Sequence, residues 1–292
     1  MIAEIRRPAH AGTFYPADPD ELVRVIEWAF LHELGPGKLP RREEATEERE
    51  SLAFIVPHAG YIYSGPVAAH AYYKLALEKK PEVVVIAGPN HNGIGLPAAV
   101  YRGAKWLTPL GEIPIDNEVG RLIVEYTEFF GFDNSAHYYE HSVEVQVPFL
   151  QYIFGEVPIV PIVVEYQSLH VARDLGRALA KIREENGVDL VYLASTDFNH
   201  YEPHDVTVEK DMMAINAILD MNEELLYKVI EENHITMCGP CPAAAAIVYA
   251  KNVGGGKPIL LKHATSGDVT GEKDWVVGYA SIRFPVKGGR FE

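Results

Sequence analysis

Apolar residues recur along this chain in two registers. LAFIV (52–56), VVVIAG (83–88), IVPIVV (159–164) and LVYLAS (190–195) are short continuous apolar runs, and they predict strands buried on both faces. Between and after them the spacing is helical. Residues 65–80 predict a helix with lysines at its C-terminal end, where the helix dipole favours positive charge. Residues 116–127 predict a helix capped by Asp116, and 168–186 an amphipathic helix capped by Ser168 and stopped at Gly187. SVEVQVPFLQYIF (142–154) predicts a helix kinked by its internal Pro148. Two more helices are predicted over 207–220 and 222–233, and a small-residue helix over 242–252. Residues 97–115 predict short extended pieces broken by Gly and Pro, and 258–266 and 275–284 predict closing strands. Strands alternating with helices imply an α/β fold of three layers, α/β/α, around a mainly parallel or mixed central sheet. In such sheets ligands bind outside the carboxyl ends of the strands.

Composition narrows the function classes. The 292 residues are read as one domain, 1–292, with a charged exposed connection at about 35–51. A formal net charge of -15 argues against nucleic-acid binding and against docking on anionic lipid. The start lacks the apolar stretch of a signal peptide, and no apolar run reaches the roughly 20 residues that span a bilayer. A cytoplasmic protein is therefore expected, with a small-molecule or peptide ligand and an open oligomeric state. Two cysteines, Cys238 and Cys241, exclude a secreted disulfide framework. Three glutamines beside many Glu and Lys hint at a thermophilic source.

The residues just past the strands carry the chemistry. Pro57-His58-Ala59-Gly60 follows the first run, Pro89-Asn90-His91 the second, and Thr196-Asp197-Phe198-Asn199-His200 the fourth. If those strands are parallel, three histidines emerge on one edge. Glu140-His141-Ser142 can join from a loop, and Cys238 precedes the 242–252 helix. His10, in a Gly-rich turn, is a further candidate for the cleft. His32, His70, His137, His170, His204, His234 and His263 read as structural or solvated.

Neutral imidazole and thiolate suit borderline or soft cations: Fe, Cu or Zn. Two of the histidines with Cys238 as the anionic ligand would leave coordination positions open for substrate. The place of Cys238 ahead of a helix should lower its thiol pKa. Asp197 is expected to orient an imidazole, and His200 to act as general acid or base. Cys-Gly-Pro-Cys also spells a dithiol redox motif, although it follows two helices near residue 240 and not an early strand.

PAHAGTFYP, PHAGYIYSG, GPNH, EHSVEVQVPFL, STDFNHY and CGPCPAAA occur here in the order in which they occur in the Memo family. The chain resembles that family from about residue 7 to 284, and through it the fold of the class III extradiol dioxygenases, which bind Fe(II) with two histidines and a glutamate. The resemblance implies His58 and His91 as imidazole ligands and Cys238 as the site cysteine. It places Asp197 and His200 behind them, with His200 at the position of the dioxygenase acid–base histidine. Glu140 and His141 match the EHS segment with no assigned role, and Tyr63 and Phe14 match cleft-lining aromatics. A thiolate in place of the carboxylate softens the site toward Cu or Zn and away from catechol cleavage. Cys241 lies outside the pattern; a disulfide to Cys238 would switch the site off. A metal-dependent oxidoreductase is the leading expectation. A non-enzymatic protein that binds a small anion or peptide in the same cleft is the alternative.

Overall fold

The computed structural model describes residues 4–288. Its strands are β1 (Ile5–Arg6), β2 (Ser51–Val56), β3 (Val83–Pro89), β4 (Ala98–Val100), β5 (Lys105–Thr108), β6 (Gly111–Pro114), β7 (Gly131–Phe132), β8 (Ile159–Val164), β9 (Leu190–Ser195), β10 (His200–Glu202), β11 (Ile259–Thr265) and β12 (Val276–Pro285). Its helices are α1 (Pro19–Leu31), α2 (Tyr61–Ala76), α3 (Asn117–Tyr126), α4 (Val147–Phe154), α5 (Leu169–Glu185), α6 (His204–Leu219), α7 (Glu223–Glu232), α8 (Pro240–Asn252) and α9 (Ser266–Thr270).

The four apolar runs of the sequence form the centre of the large sheet. They pair in the order β2-β9-β3-β8, and every pair is parallel. Antiparallel neighbours flank them, β12 beside β2 and β4 beside β8, so the sheet is mixed. A small sheet, β1-β5-β6, lies apart.

Strand alternation sends side chains to opposite faces. Ala53, Ile55, Val83 and Val85 face one apolar core with α3, α5, α6 and α8. Phe54, Val56, Val84 and Ile86 face the other with α1, α2 and α4. Both layers of helix are thus required, and each fully buried aliphatic side chain contributes about 1.5–3 kcal/mol. On the first face α5 and α8 approach closely, because a Cβ at Gly176 would meet Val248 Cβ at 2.6 Å.

Three expectations need correction. Pro148 does not kink a helix. Residues 144–146 form a separate 3-10 turn, and Pro148 sits in the first turn of α4, where its missing N–H has no partner to lose. The helix expected over 65–80 starts at Tyr61 and stops at Ala76. The charged stretch 35–51 is not wholly an exposed connection. Arg42 donates to the carbonyls of Ala76, the last residue of α2, and of Glu78 just past it, and Glu50 is buried. The caps at Asp116 and Ser168 are present as expected.

Candidate functional site

Because β2, β9 and β3 run parallel and side by side, the segments after them open on one edge of the sheet. His58, His91 and His200 line one cleft there, together with Phe14, His141, Asp197, Tyr201, Thr236 and Cys238, and its volume is about 510 Å³. Candidate ligand atoms of His58, His91 and His141 all lie within 4.8 Å of one another.

Hydrogen bonds fix which nitrogen each ring presents. Ser195 Oγ donates to the Ser142 carbonyl at 2.6 Å and accepts from Gln146 Nε2 at 2.9 Å. Its proton is therefore committed, and the contact of His58 Nδ1 with it, at 2.9 Å, has nitrogen as donor. Nε2 of His58 keeps its lone pair and faces the cleft. At His91, Nδ1 donates to Glu140 Oε1 at 2.8 Å, so Nε2 is again the free lone pair. Glu140 also takes the His91 peptide N–H and lies 3.5 Å from His141 Nδ1. At His200, Nδ1 donates to the Thr236 carbonyl at 2.7 Å, which leaves its Nε2 as an acceptor.

Burial drives the electrostatics. Desolvation pushes the His58 pKa down to about 3, and it does the same to His141. Both rings are neutral near pH 7, the form that binds metals. Glu140 is buried, which alone would raise its pKa, but the His91 hydrogen bond and the neighbouring imidazoles bring it down to about 2. Asp197 is buried enough that desolvation raises its carboxyl.

Cys238 behaves differently from the sequence-based expectation. Burial and the charge of Asp197 push its thiol up, outweighing its position ahead of α8. Its sulfur lies 3.3 Å from His58 Nε2, an acceptor that takes the S–H, and itself accepts the Asp197 peptide N–H at 3.3 Å. Cys241 is fully buried in the core, its sulfur free like that of Cys238.

The remaining candidates fall around this centre. The Asp197 carboxylate accepts the His58 peptide N–H at 2.8 Å and stands 3.9 Å from His58 Nε2, so it holds the main chain, while Ser195 orients the ring. Phe14 stacks on His141 at 4.3 Å, and His141 on His91 at 4.5 Å. His10 packs edge-on against Phe14 and His141 and donates to the Tyr139 carbonyl. Tyr63 lines an adjoining groove with Tyr61 and Phe14, not the histidine cleft. His204 turns away to Thr265. Ser195, Gln146 and Thr236, which orient the imidazoles, were not predicted. Their signal was faint: Gln146 is a fully enclosed amide in an apolar helix-like segment.

The loop carrying Glu140 and His141 is held from below. Arg6 donates to the carbonyls of His137 and Glu140 and pairs with Glu144 at 2.7 Å, all buried. Ser142 Oγ donates to the Pro89 carbonyl, so the loop is tied to the strand that delivers His91.

The chain is similar to known proteins over nearly its whole length. A Memo-like protein family profile matches residues 6–283. A MEMO1 family protein of Aeropyrum pernix is 52% identical over 281 residues, covering 96% of this chain and 99% of that protein. A MEMO1 family protein of Sulfolobus acidocaldarius is 50% identical over 282 residues, covering 96% and 99%. A crystal structure of an uncharacterized Escherichia coli K12 protein shares the fold at TM-score 0.55 and 13% identity, covering 80% of this chain and 99% of that one. No helix among the described residues is long and apolar enough to cross a membrane. By a match that spans almost its whole length, this chain belongs to the Memo family.

Proposed function

We propose that the cleft is a metal-dependent redox centre acting on a small phenolic molecule. The observation that carries this is the convergence of His58, His91 and His141, whose candidate ligand atoms lie within 4.8 Å of one another. The donor set fits a borderline or soft ion, Fe, Cu or Zn, and not Mg or Ca, which prefer oxygen. His58 and His91 would be two ligands. Cys238 is the third, with His141 as the competing donor: ligation by sulfur requires that the S–H facing His58 be lost and that the sulfur move in toward the group of three histidines, of which it is not a member as it stands. The Asp197 peptide N–H, already on the sulfur, stabilises the thiolate so formed. Such an ion would supply Lewis acidity and, as iron or copper, electron transfer. The chain supplies the rest. His200 Nε2 removes a hydroxyl proton from the substrate, its ring held by Thr236. Asp197, behind His58, holds the strand-end turn in place.

Metal analysis of protein purified without a tag, followed by cobalt(II) titration, tests the centre. The wild type should hold one ion per chain with a thiolate-to-cobalt absorption band. Cys238→Ser should lose the band, and His58→Ala and His91→Ala should lose the ion. If wild type and His58→Ala alike bind no metal of any kind offered, the reading fails. Dioxygen uptake with phenolic reductants should fall in His200→Ala. A binding cleft without chemistry is the second reading, favoured by the Cys238–His58 contact, which satisfies both groups without an ion. Uptake unaffected by Cys238→Ser and His200→Ala would select it.

A further inference from the structure

Tyr201 is a bulky residue in a conformation that suits glycine. Its φ is 59°, in the left-handed region, where a Cβ crowds the backbone. Two other non-glycine residues among those described share such an angle, Met221 and His234. Each of those follows the cap of a helix, α6 and α7, a position that ordinarily adopts this conformation. Tyr201 has no such excuse. It is the residue skipped in the pairing of β10 with β12, where His200 faces Val277 and Glu202 faces Val276. That makes it a bulge, a device that re-aims a side chain.

The flanking residues hold this conformation, His200 through Thr236 and Glu202 through Lys210, while the Tyr201 side chain contributes little to it. Tyr201 is 66% exposed, so its ring gains little from burial. Among the described residues its hydroxyl has no hydrogen-bond partner, and its one ring contact is edge-on to His200, centroids 5.6 Å apart. Yet it lines the cleft with Phe14, His58, His91 and Cys238. A bulky, exposed side chain in a strained conformation at the edge of a cleft points to a functional role.

We propose that Tyr201 is a specificity-determining residue that lies against a planar ring of the bound molecule. The inference rests on the reading of the cleft as a site for a small phenolic compound, and it adds the residue that selects for flatness. The contact is made by the ring face, so the hydroxyl is dispensable.

The test uses the full chain, metal-free and cobalt(II)-loaded, titrated with 4-nitrocatechol and separately with azide. Tyr201→Gly and Tyr201→Asn both tolerate the left-handed angle. Their thermal midpoints should equal or exceed that of the wild type, while 4-nitrocatechol binds about three- to tenfold more weakly. Azide affinity should not change, and Tyr201→Phe should bind 4-nitrocatechol as the wild type does. Unaltered 4-nitrocatechol binding in Tyr201→Gly would overturn the role of Tyr201 and leave the metal centre standing. A wild type that takes cobalt and azide but no 4-nitrocatechol would overturn this inference and the phenolic ligand together. A lower thermal midpoint in both variants would make Tyr201 structural and overturn the inference as well.

Discussion

Glu140 grips His91 twice, taking its Nδ1–H at 2.8 Å on one carboxylate oxygen and its peptide N–H on the other. One buried carboxylate therefore sets the tautomer, the ring direction and the main-chain position of a candidate ligand. Carboxylates placed behind a ligating imidazole typically change metal affinity 10–100-fold when removed. Glu140→Gln should lower cobalt(II) affinity by about that factor, measured by chelator competition. Affinity equal to wild type would mean that His91 is not a ligand.

The Arg6–Glu144 pair is buried on both sides, with each side chain 1% exposed. Arg6→Met leaves the Glu144 carboxylate without its cation, and unpairing a buried charge costs about 3–5 kcal/mol. Urea denaturation should show a loss of that order. Restoring neutrality with Arg6→Met and Glu144→Gln together should recover part of it. A single variant as stable as wild type would show that Glu144 is held by Tyr15 and the peptide N–H groups of residues 9 and 10 alone.

Acid should destabilise the metal-free protein in a defined window. His58 and His137 are buried and His141 is half-buried, and desolvation takes each to about 3, below the ordinary value of 6.5. Between these values the unfolded chain binds protons that the folded chain does not, so stability falls as pH drops from 6.5 toward 3. Each group adds a slope of up to about 1.4 kcal/mol per pH unit. His137 is not a candidate ligand, and His137→Phe should make the pH dependence shallower by about one proton. Equal slopes in denaturation series for the two proteins would refute the assignment.

Gly88 lies where β3 meets the 140–142 loop. A Cβ there would fall 2.4 Å from Ser142 Oγ and 2.8 Å from its Cβ, too close for any arrangement without movement. Gly88→Ala should push Ser142 off the Pro89 carbonyl, cost about 1–3 kcal/mol, and weaken metal binding through Glu140 and His141. A variant with wild-type Tm and metal affinity would show that the loop yields freely.

The parallel centre of the sheet was legible because each of its strands is a continuous apolar run, and no solvent-exposed face could tolerate one. The histidines at three strand ends were legible for the same reason: a polar residue ending such a run must lie at an edge. Helix limits were less so. Tyr61–Ser64 belong to α2 although they follow directly on the cleft residues Ala59 and Gly60, so the helix starts at the edge of the site. The lowered pKa expected of a thiol ahead of a helix does not hold at Cys238, since the dipole is weak beside full desolvation.

The runs and helical spacing of apolar positions are properties of neighbours in the chain, and they determined the layered α/β fold and the edge on which the site lies. Which side chains meet there depends on packing between segments far apart in sequence. His141 arrives from a loop of short turns with no periodicity, braced by Arg6 from the first described strand and by Ser142. Ser195 orients His58 only because Gln146 and the Ser142 carbonyl occupy its other hydrogen-bonding directions. Such contacts join residues 49 to 137 positions apart, and only the tertiary fold decides their distances.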